Sequence, residues 1–148
     1  MKLLLLFATA ILMTGCVGGM SDDQEAKNNA QEWADAYFNC DYKDAQAYVT
    51  TESQKWLQFA ASNTTEQDLK LLQEAGGAHV TVGEAFDEAN DTMRLVTLTV
   101  SNYLKPVALG EPPVLEKDGT IKVLVLKRDG EWKVRMEGLP RSEKQSHD

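Results

Sequence analysis

Proton-transfer chemistry near neutral pH needs a histidine, or a carboxylate or phenol with a displaced pKa, within reach of a substrate. The chain has two histidines, His79 in its body and His147 near its end. His79 alternates with Val80 and Val82, which places it opposite an apolar strand face. Asp35 neighbours an apolar helical stripe, and Tyr103 lies in a strand-forming run. Asp35 and His79 are therefore the acid–base candidates, with Tyr103 as the other group His79 could pair with. No spacing compels either pairing, and no catalytic set is assigned. Of the two cysteines, Cys40 lies between Phe38 and Tyr42, a setting that suits burial. A nucleophilic thiol would need a neighbouring base. No His or Cys pair has metal-ligand spacing, Gly76-Gly77 lacks the flanks of a phosphate loop, and no serine sits in a nucleophile elbow. Neither metal nor cofactor is expected. Asn63-Thr64-Thr65 and Asn90-Asp91-Thr92 fit an N-glycosylation pattern, and Asp91-Thr92-Met93 fits an O-glycosylation pattern; motifs this short arise by chance.

The other cysteine has a more specific context. Lys2 precedes an apolar run from Leu3 to Met13 that only Thr9 interrupts. That run has the length of a signal-peptide core and is short of the roughly 20 residues of a spanning helix. Met13-Thr14-Gly15-Cys16 follows, an apolar residue, two small ones and a cysteine. It resembles the bacterial lipobox. The resemblance implies cleavage before Cys16, a diacylglycerol on its thiol and acylation of the new amine, with palmitate-like chains holding the protein on a membrane. Val17-Gly18, with no Asp after the cysteine, resembles the outer-membrane sorting context of such lipoproteins, with the periplasmic or surface side left open. The expected organisation is a signal peptide at 1–15, a lipidated tether at 16–23, one domain at 24–138 and a loose tail at 139–148. The formal net charge of −8 grows more negative once Lys2 leaves with the leader. Such a surface repels phosphate backbones, so nucleic acid is excluded and the membrane partner comes through lipid. With Cys16 acylated, Cys40 has no disulfide mate.

Helices fill the first half of the domain. Ser21 with Gln24 forms a capping pattern, and Ala26, Ala30, Trp33 and Tyr37 recur at helical spacing. Asn39-Cys40-Asp41 breaks that helix, and Asp41 caps a short second one with Ala45 and Tyr48 inward. Thr51 with Gln54 predicts a third helix that turns Trp56, Phe59 and Ala60 to one face. Thr65 with Asp68 starts a fourth that carries Leu69 and Leu72 and ends at Gly76-Gly77. Strands follow at 78–86, at 93–104 with Val96, Leu98 and Val100 on one side, and at 120–128. Asp129-Gly130 then forms a hairpin turn, and Trp132, Val134 and Met136 alternate inward. Pro106, Pro112 and Pro113 make 105–116 a loop or an extended edge. Helices followed by a four-strand meander mean an α+β fold.

Trp33, Tyr37, Asp41-Tyr42, Ala45 and Tyr48, with the closing Arg128-Asp129-Gly130-Glu131-Trp132-Lys133-Val134, resemble the nuclear-transport-factor-two-like superfamily. The similarity runs from about Gln24 to Gly138 and is closest to its small bacterial lipoproteins of uncharacterised role. Cys40 departs from the pattern, where glycine is common. The resemblance implies a cone in which N-terminal helices pack on a curved four-stranded antiparallel sheet and a pocket can lie between them. Its wall candidates are Trp33, Tyr37, Trp56, Phe59, Tyr103 and Trp132; filling the core is the competing role for all six. A non-catalytic envelope module that binds a small apolar ligand or a protein partner is the leading expectation. The alternative is a small hydrolase or isomerase, which requires His79 to line the pocket beside a carboxylate. A cystatin-like inhibitor, with 105–116 as its wedge, is a third. Such cones often dimerise through the sheet, and the Leu124 and Leu126 side offers a homodimer surface.

Overall fold

The structure is a computed structural model that describes residues 20–87, 90–108 and 110–143. The leader, Cys16, most of the tether and His147 lie outside the described residues. Among the described residues no helix is long and apolar enough to cross a membrane.

Helix α1 (Asp22–Phe38) starts where Ser21 caps it, its hydroxyl accepting from the Gln24 amide at 3.2 Å. Asp22, Asp23 and Glu25 in the first turn complement the helix dipole. Ala26, Ala30, Trp33, Ala34 and Phe38 form its buried face. The alanines let the helix axis approach the sheet closely, and Trp33 fills the space between. Asn39 ends the helix and ties it down. Its amide donates to the Asp35 and Ala78 carbonyls, and its oxygen accepts from the Ala78 amide at 2.8 Å. Cys40 follows with φ +61°. The Asp41 amide reaches the Ala36 carbonyl and the Cys40 amide reaches the Tyr37 carbonyl, the paired bonds of a Schellman cap. The turn expected at Asn39-Cys40-Asp41 thus forms with cysteine in the position glycine normally takes.

Asp41 caps the short α2 (Tyr42–Ala45). The next segment departs from expectation. Thr51 does not cap a helix; Thr51–Ser53 is a 3-10 turn, and α3 (Gln54–Asn63) begins after it. The cause is remote. Ser53 is fully buried, pairs with the Thr50 hydroxyl at 2.6 Å and accepts the Met136 amide at 2.8 Å. This sets the phase of α3 so that Leu57 and Ala60 face inward, while Trp56 is half-buried and Phe59 is 50% exposed. Helix α4 (Glu66–Glu74) carries the expected Thr65–Asp68 capping box, and Leu72 is buried while Leu69 stays exposed. Gly76 and Gly77, both at positive φ, end it.

The strands β1 (His79–Asp87), β2 (Met93–Lys105), β3 (Val114–Arg128) and β4 (Glu131–Arg135) form one antiparallel sheet in chain order. Strand β3 begins six residues earlier than the sequence reading placed it, because Val114, Leu115 and Glu116 pair with Lys105, Leu104 and Tyr103. The proline loop shrinks accordingly to the residues between β2 and β3. Asp129 and Gly130, both at positive φ, make the tight turn expected of them. Val49 adds a parallel bridge to Val134 at the sheet edge.

The concave face presents Val96, Leu98, Val100, Tyr103, Ile121, Val123, Val125, Trp132 and Val134, and these meet the α1 stripe in one core. The two ends of α1 are anchored separately. At its start, Arg94, only 7% exposed, bonds Asp23 at 2.6 Å, pairs with Asp87 at 3.0 Å and lies over the Trp132 ring. Asp22 accepts from both Lys127 and the Trp132 indole. The folded body also extends beyond the expected limits: α1 begins at Asp22, and Ser142 is buried past residue 138.

Tyr103 turns inward after Asn102, which takes φ +55°. Its ring covers Gly119, where a Cβ would fall 2.3 Å from the phenol oxygen. Gly119→Ala should therefore cost about 1–3 kcal/mol in chemical denaturation through overpacking. Tyr103→Phe in the same background should recover part of that loss, a non-additivity expected only of touching residues.

Candidate functional site

With Trp33, Tyr103 and Trp132 each 1% exposed, the middle of the fold is filled. Open space remains at the end of the molecule where α1 stops. A cavity of about 550 Å³ lies there, within the roughly 300–1,000 Å³ range of small-molecule sites. Tyr37 and Phe38 enter it from the last turn of α1, Cys40 from the cap and Tyr42 from α2. Phe59, Ala60 and Asn63 come from α3, Thr64, Thr65, Gln67 and Asp68 from the α3–α4 corner, and Leu104 from the end of β2. The loop from Pro106 to Pro113 and Leu139 close the far wall. Pro106, Pro112 and Pro113 in this wall fix their own φ and limit the residue before each.

Of the six residues offered as pocket wall, Tyr37 and Phe59 line the cavity. Trp33, Tyr103 and Trp132 are core, and Trp56 stands behind Phe59 with ring centroids 6.4 Å apart. The sequence reading missed Phe38, Cys40, Tyr42, Leu104 and the proline loop. The signal for part of this was present in Asn39-Cys40-Asp41-Tyr42, since a residue at a helix cap carries its aromatic neighbours past the helix end.

Aromatic side chains pack edge-on within the wall. Tyr37 lies 5.1 Å from Phe38 and 5.6 Å from Tyr42 by centroid, both at steep angles, and stacks on Trp33 at 5.1 Å. The Tyr42 hydroxyl is shared with Thr64 Oγ1 at 2.9 Å and approaches Cys40 Sγ at 3.5 Å. Burial pushes the Tyr37 phenol well above its ordinary range, helped by Tyr42 and Cys40. Tyr42 is raised for the same reason against the opposing Thr64 bond, and burial likewise raises the Cys40 thiol. All three groups are neutral at physiological pH. Such a wall offers apolar contact and neutral hydrogen bonding, and the thiol is poorly suited to nucleophilic attack.

His79 is exposed on β1 and does not line this cavity. Asp35 is exposed on α1, beside a polar surface hollow that also holds Glu32, Asp41 and Asp44. Burial and Glu32 raise Asp35, and His79 acts weakly the other way. The two acid–base candidates therefore lie on the outside of the molecule, and Tyr103 is packed inside it. The pairing of His79 with a carboxylate at the pocket is not assembled. The 105–116 segment, considered as an inhibitory wedge, instead builds the cavity wall and the first pairs of β3. Among the described residues no group of three His, Cys, Asp or Glu side chains could hold a metal ion.

No protein-family model matches the chain, and no curated protein matches it. It is similar in fold to solved structures. One is an NTF-2-like protein of unknown function from Shewanella oneidensis MR-1, at 13% identity and a TM-score of 0.49, covering 75% of this chain and 92% of that one. Another is an uncharacterised cystatin-fold protein from Novosphingobium aromaticivorans, at 13% identity and a TM-score of 0.45, covering 75% and 96%. A third, of unknown function and from Mycobacterium tuberculosis, shares 10% identity at a TM-score of 0.49 and covers 81% and 70%. The α+β arrangement of helices on a four-stranded antiparallel sheet is the one expected of the chain. Its chemistry is read from its own cavity.

Because the folded protein keeps protons on Cys40, Tyr37 and Tyr42 that the unfolded chain releases above about pH 9, stability must fall as pH rises through that range. Urea midpoints measured from neutral to strongly alkaline pH should show this decline. Tyr42→Phe, which deletes one of the retained protons, should make the decline shallower; an unchanged slope would contradict the assignment.

Proposed function

We propose that this protein is a membrane-anchored binding module of the bacterial envelope that takes a small, largely apolar molecule into the cavity at the end of α1. The observation that carries the reading is the cavity itself: a preformed space of about 550 Å³ walled by aromatic rings and prolines, with its buried hydroxyls and thiol held neutral. Phe59 at 50% exposure and Val107 at 37% put apolar surface at its rim, where an incoming molecule would first be desolvated. Among the described residues of the wall no base stands beside a nucleophile, so binding without turnover is the activity its chemistry supports best.

Anchoring follows from the leader and Cys16. Two or more acyl chains on one terminus hold a protein stably, whereas one chain does so only reversibly. The acidic body adds no attraction to anionic headgroups, so attachment depends on the lipid. The outer membrane is the favoured destination because Val17-Gly18 carries no retention-type Asp.

Uptake is tested with N-phenylnaphthylamine, an uncharged dye that brightens in apolar sites. The protein should bind it saturably at one site. Phe59→Ala, at an exposed position, should weaken binding at least fivefold, roughly 1 kcal/mol, with the melting temperature unchanged. Absence of saturable uptake by the native protein would refute the binding reading. Anchoring is tested separately in the native host. Cys16→Ala should move the protein from the membrane to the soluble extract or leave it unprocessed, and mass spectrometry of the native form should find an acylated Cys16.

A further inference from the structure

Resting on the binding reading above, we propose that the cavity selects neutral ligands that carry one hydrogen-bonding oxygen, such as a long-chain alcohol, ketone or ester. That oxygen would be seated at Tyr37 Oη, and the matching carboxylates would be discriminated against. Several polar atoms of the cavity are already used within the protein. Tyr42 Oη is taken by Thr64 and lies against Cys40 Sγ. Thr64 Oγ1 also donates to the Ala60 carbonyl at 2.8 Å. Asn63 Nδ2 donates to the Phe59 carbonyl at 2.7 Å, and Asp68 is occupied in the Thr65 capping box. Tyr37 is different. Its ring is fixed on three sides by Trp33, Phe38 and Tyr42, yet among the described residues its hydroxyl has no hydrogen-bond partner. It is absent from the buried atoms that lack a partner, so solvent reaches it, and Tyr37 lines the cavity. A ligand oxygen that enters can take the place of that solvent on the phenol.

The charge of the lining decides which oxygen. Among the described residues of the lining, Asp68 and Glu111 stand against one cation, Lys105, and Lys105 is already shared with Glu116 at 3.8 Å. A carboxylate in the cavity would compete with Glu116 for that one charge. Burying an unpaired anion beside two acids, in a protein of net charge −8, is strongly disfavoured. A neutral oxygen meets none of that penalty and can both donate to and accept from the Tyr37 phenol.

The test displaces N-phenylnaphthylamine from the chain beginning at Val17, which carries the whole described fold without leader or lipid, using decanol and decanoate as competitors at mildly alkaline pH. Decanol should displace the dye at concentrations about tenfold or more below those needed for decanoate, a decade in affinity. In Tyr37→Phe, with the dye's own affinity for the variant measured directly, decanol should weaken about threefold to tenfold, the range of one net hydrogen bond. The same variant should melt no lower than the parent, since an unpaired hydroxyl is all that is lost. Equal or better displacement by decanoate, or a decanol affinity indifferent to Tyr37→Phe, would overturn the selectivity. Failure of the parent protein to take up the dye at all would instead overturn the underlying binding reading.

Discussion

The fold depends on the close approach of α1 to the concave face of the sheet. Ala26, Ala30 and Ala34 present almost no side chain there, and all are fully buried. The helix can therefore lie near the strands, with Trp33 and Trp132 taking up the remaining volume. Truncating a buried tryptophan typically costs about 3–5 kcal/mol, so these two rings hold a large part of the margin by which a domain of this size is stable. Filling the centre has a second effect. It removes the middle of the cone as a site and leaves apolar-walled space where α1 ends. The position of the cavity is thus a consequence of core packing.

The ends of α1 are held by different physics. At its start, two carboxylates meet Arg94, Lys127 and the Trp132 indole. Arg94 and Trp132 are buried, but both carboxylates and Lys127 are partly exposed, so the pairing orients the first turn more than it stabilises the fold. At its end, Asn39 bonds three backbone groups and Cys40 accepts a left-handed conformation, a strain of about 1–2 kcal/mol for an L-residue. The return is geometric: the cap redirects the chain so that Tyr37, Cys40 and Tyr42 converge on one space. Cys40 is therefore part of the cavity wall and also the pivot that makes it.

Local signals in the sequence were the readable ones. Ser21, Asp41 and Thr65 each announce a cap through a side chain that bonds three residues on, and each does so in the structure; Asp129-Gly130 announces its turn through residues that accept positive φ. Alternation likewise exposed the inward residues of β2 and β4. What was hidden depends on distant partners. The phase of α3 follows from Ser53 receiving the Met136 amide, a bond between residues 83 apart in the chain. Tyr37 and Trp33 share one stripe and look equivalent; which is core and which is wall depends on where the sheet ends relative to the helix. The proline run read as a loop but not as a wall, because its contact with α3 is tertiary. His79 was placed correctly as facing away from the core by simple alternation.

The central claim is that an apolar molecule occupies the end of α1 beneath the proline loop. Intermolecular nuclear Overhauser effects between a saturating neutral aliphatic ligand and isotope-labelled protein test it most directly. The account predicts contacts from the ligand to the Tyr37 and Phe59 rings and to the Leu104 and Val107 methyls, with none to Leu124 on the outer sheet face. Contacts confined to the outer face of the sheet, with the Tyr37 and Leu104 signals unmoved, would contradict it.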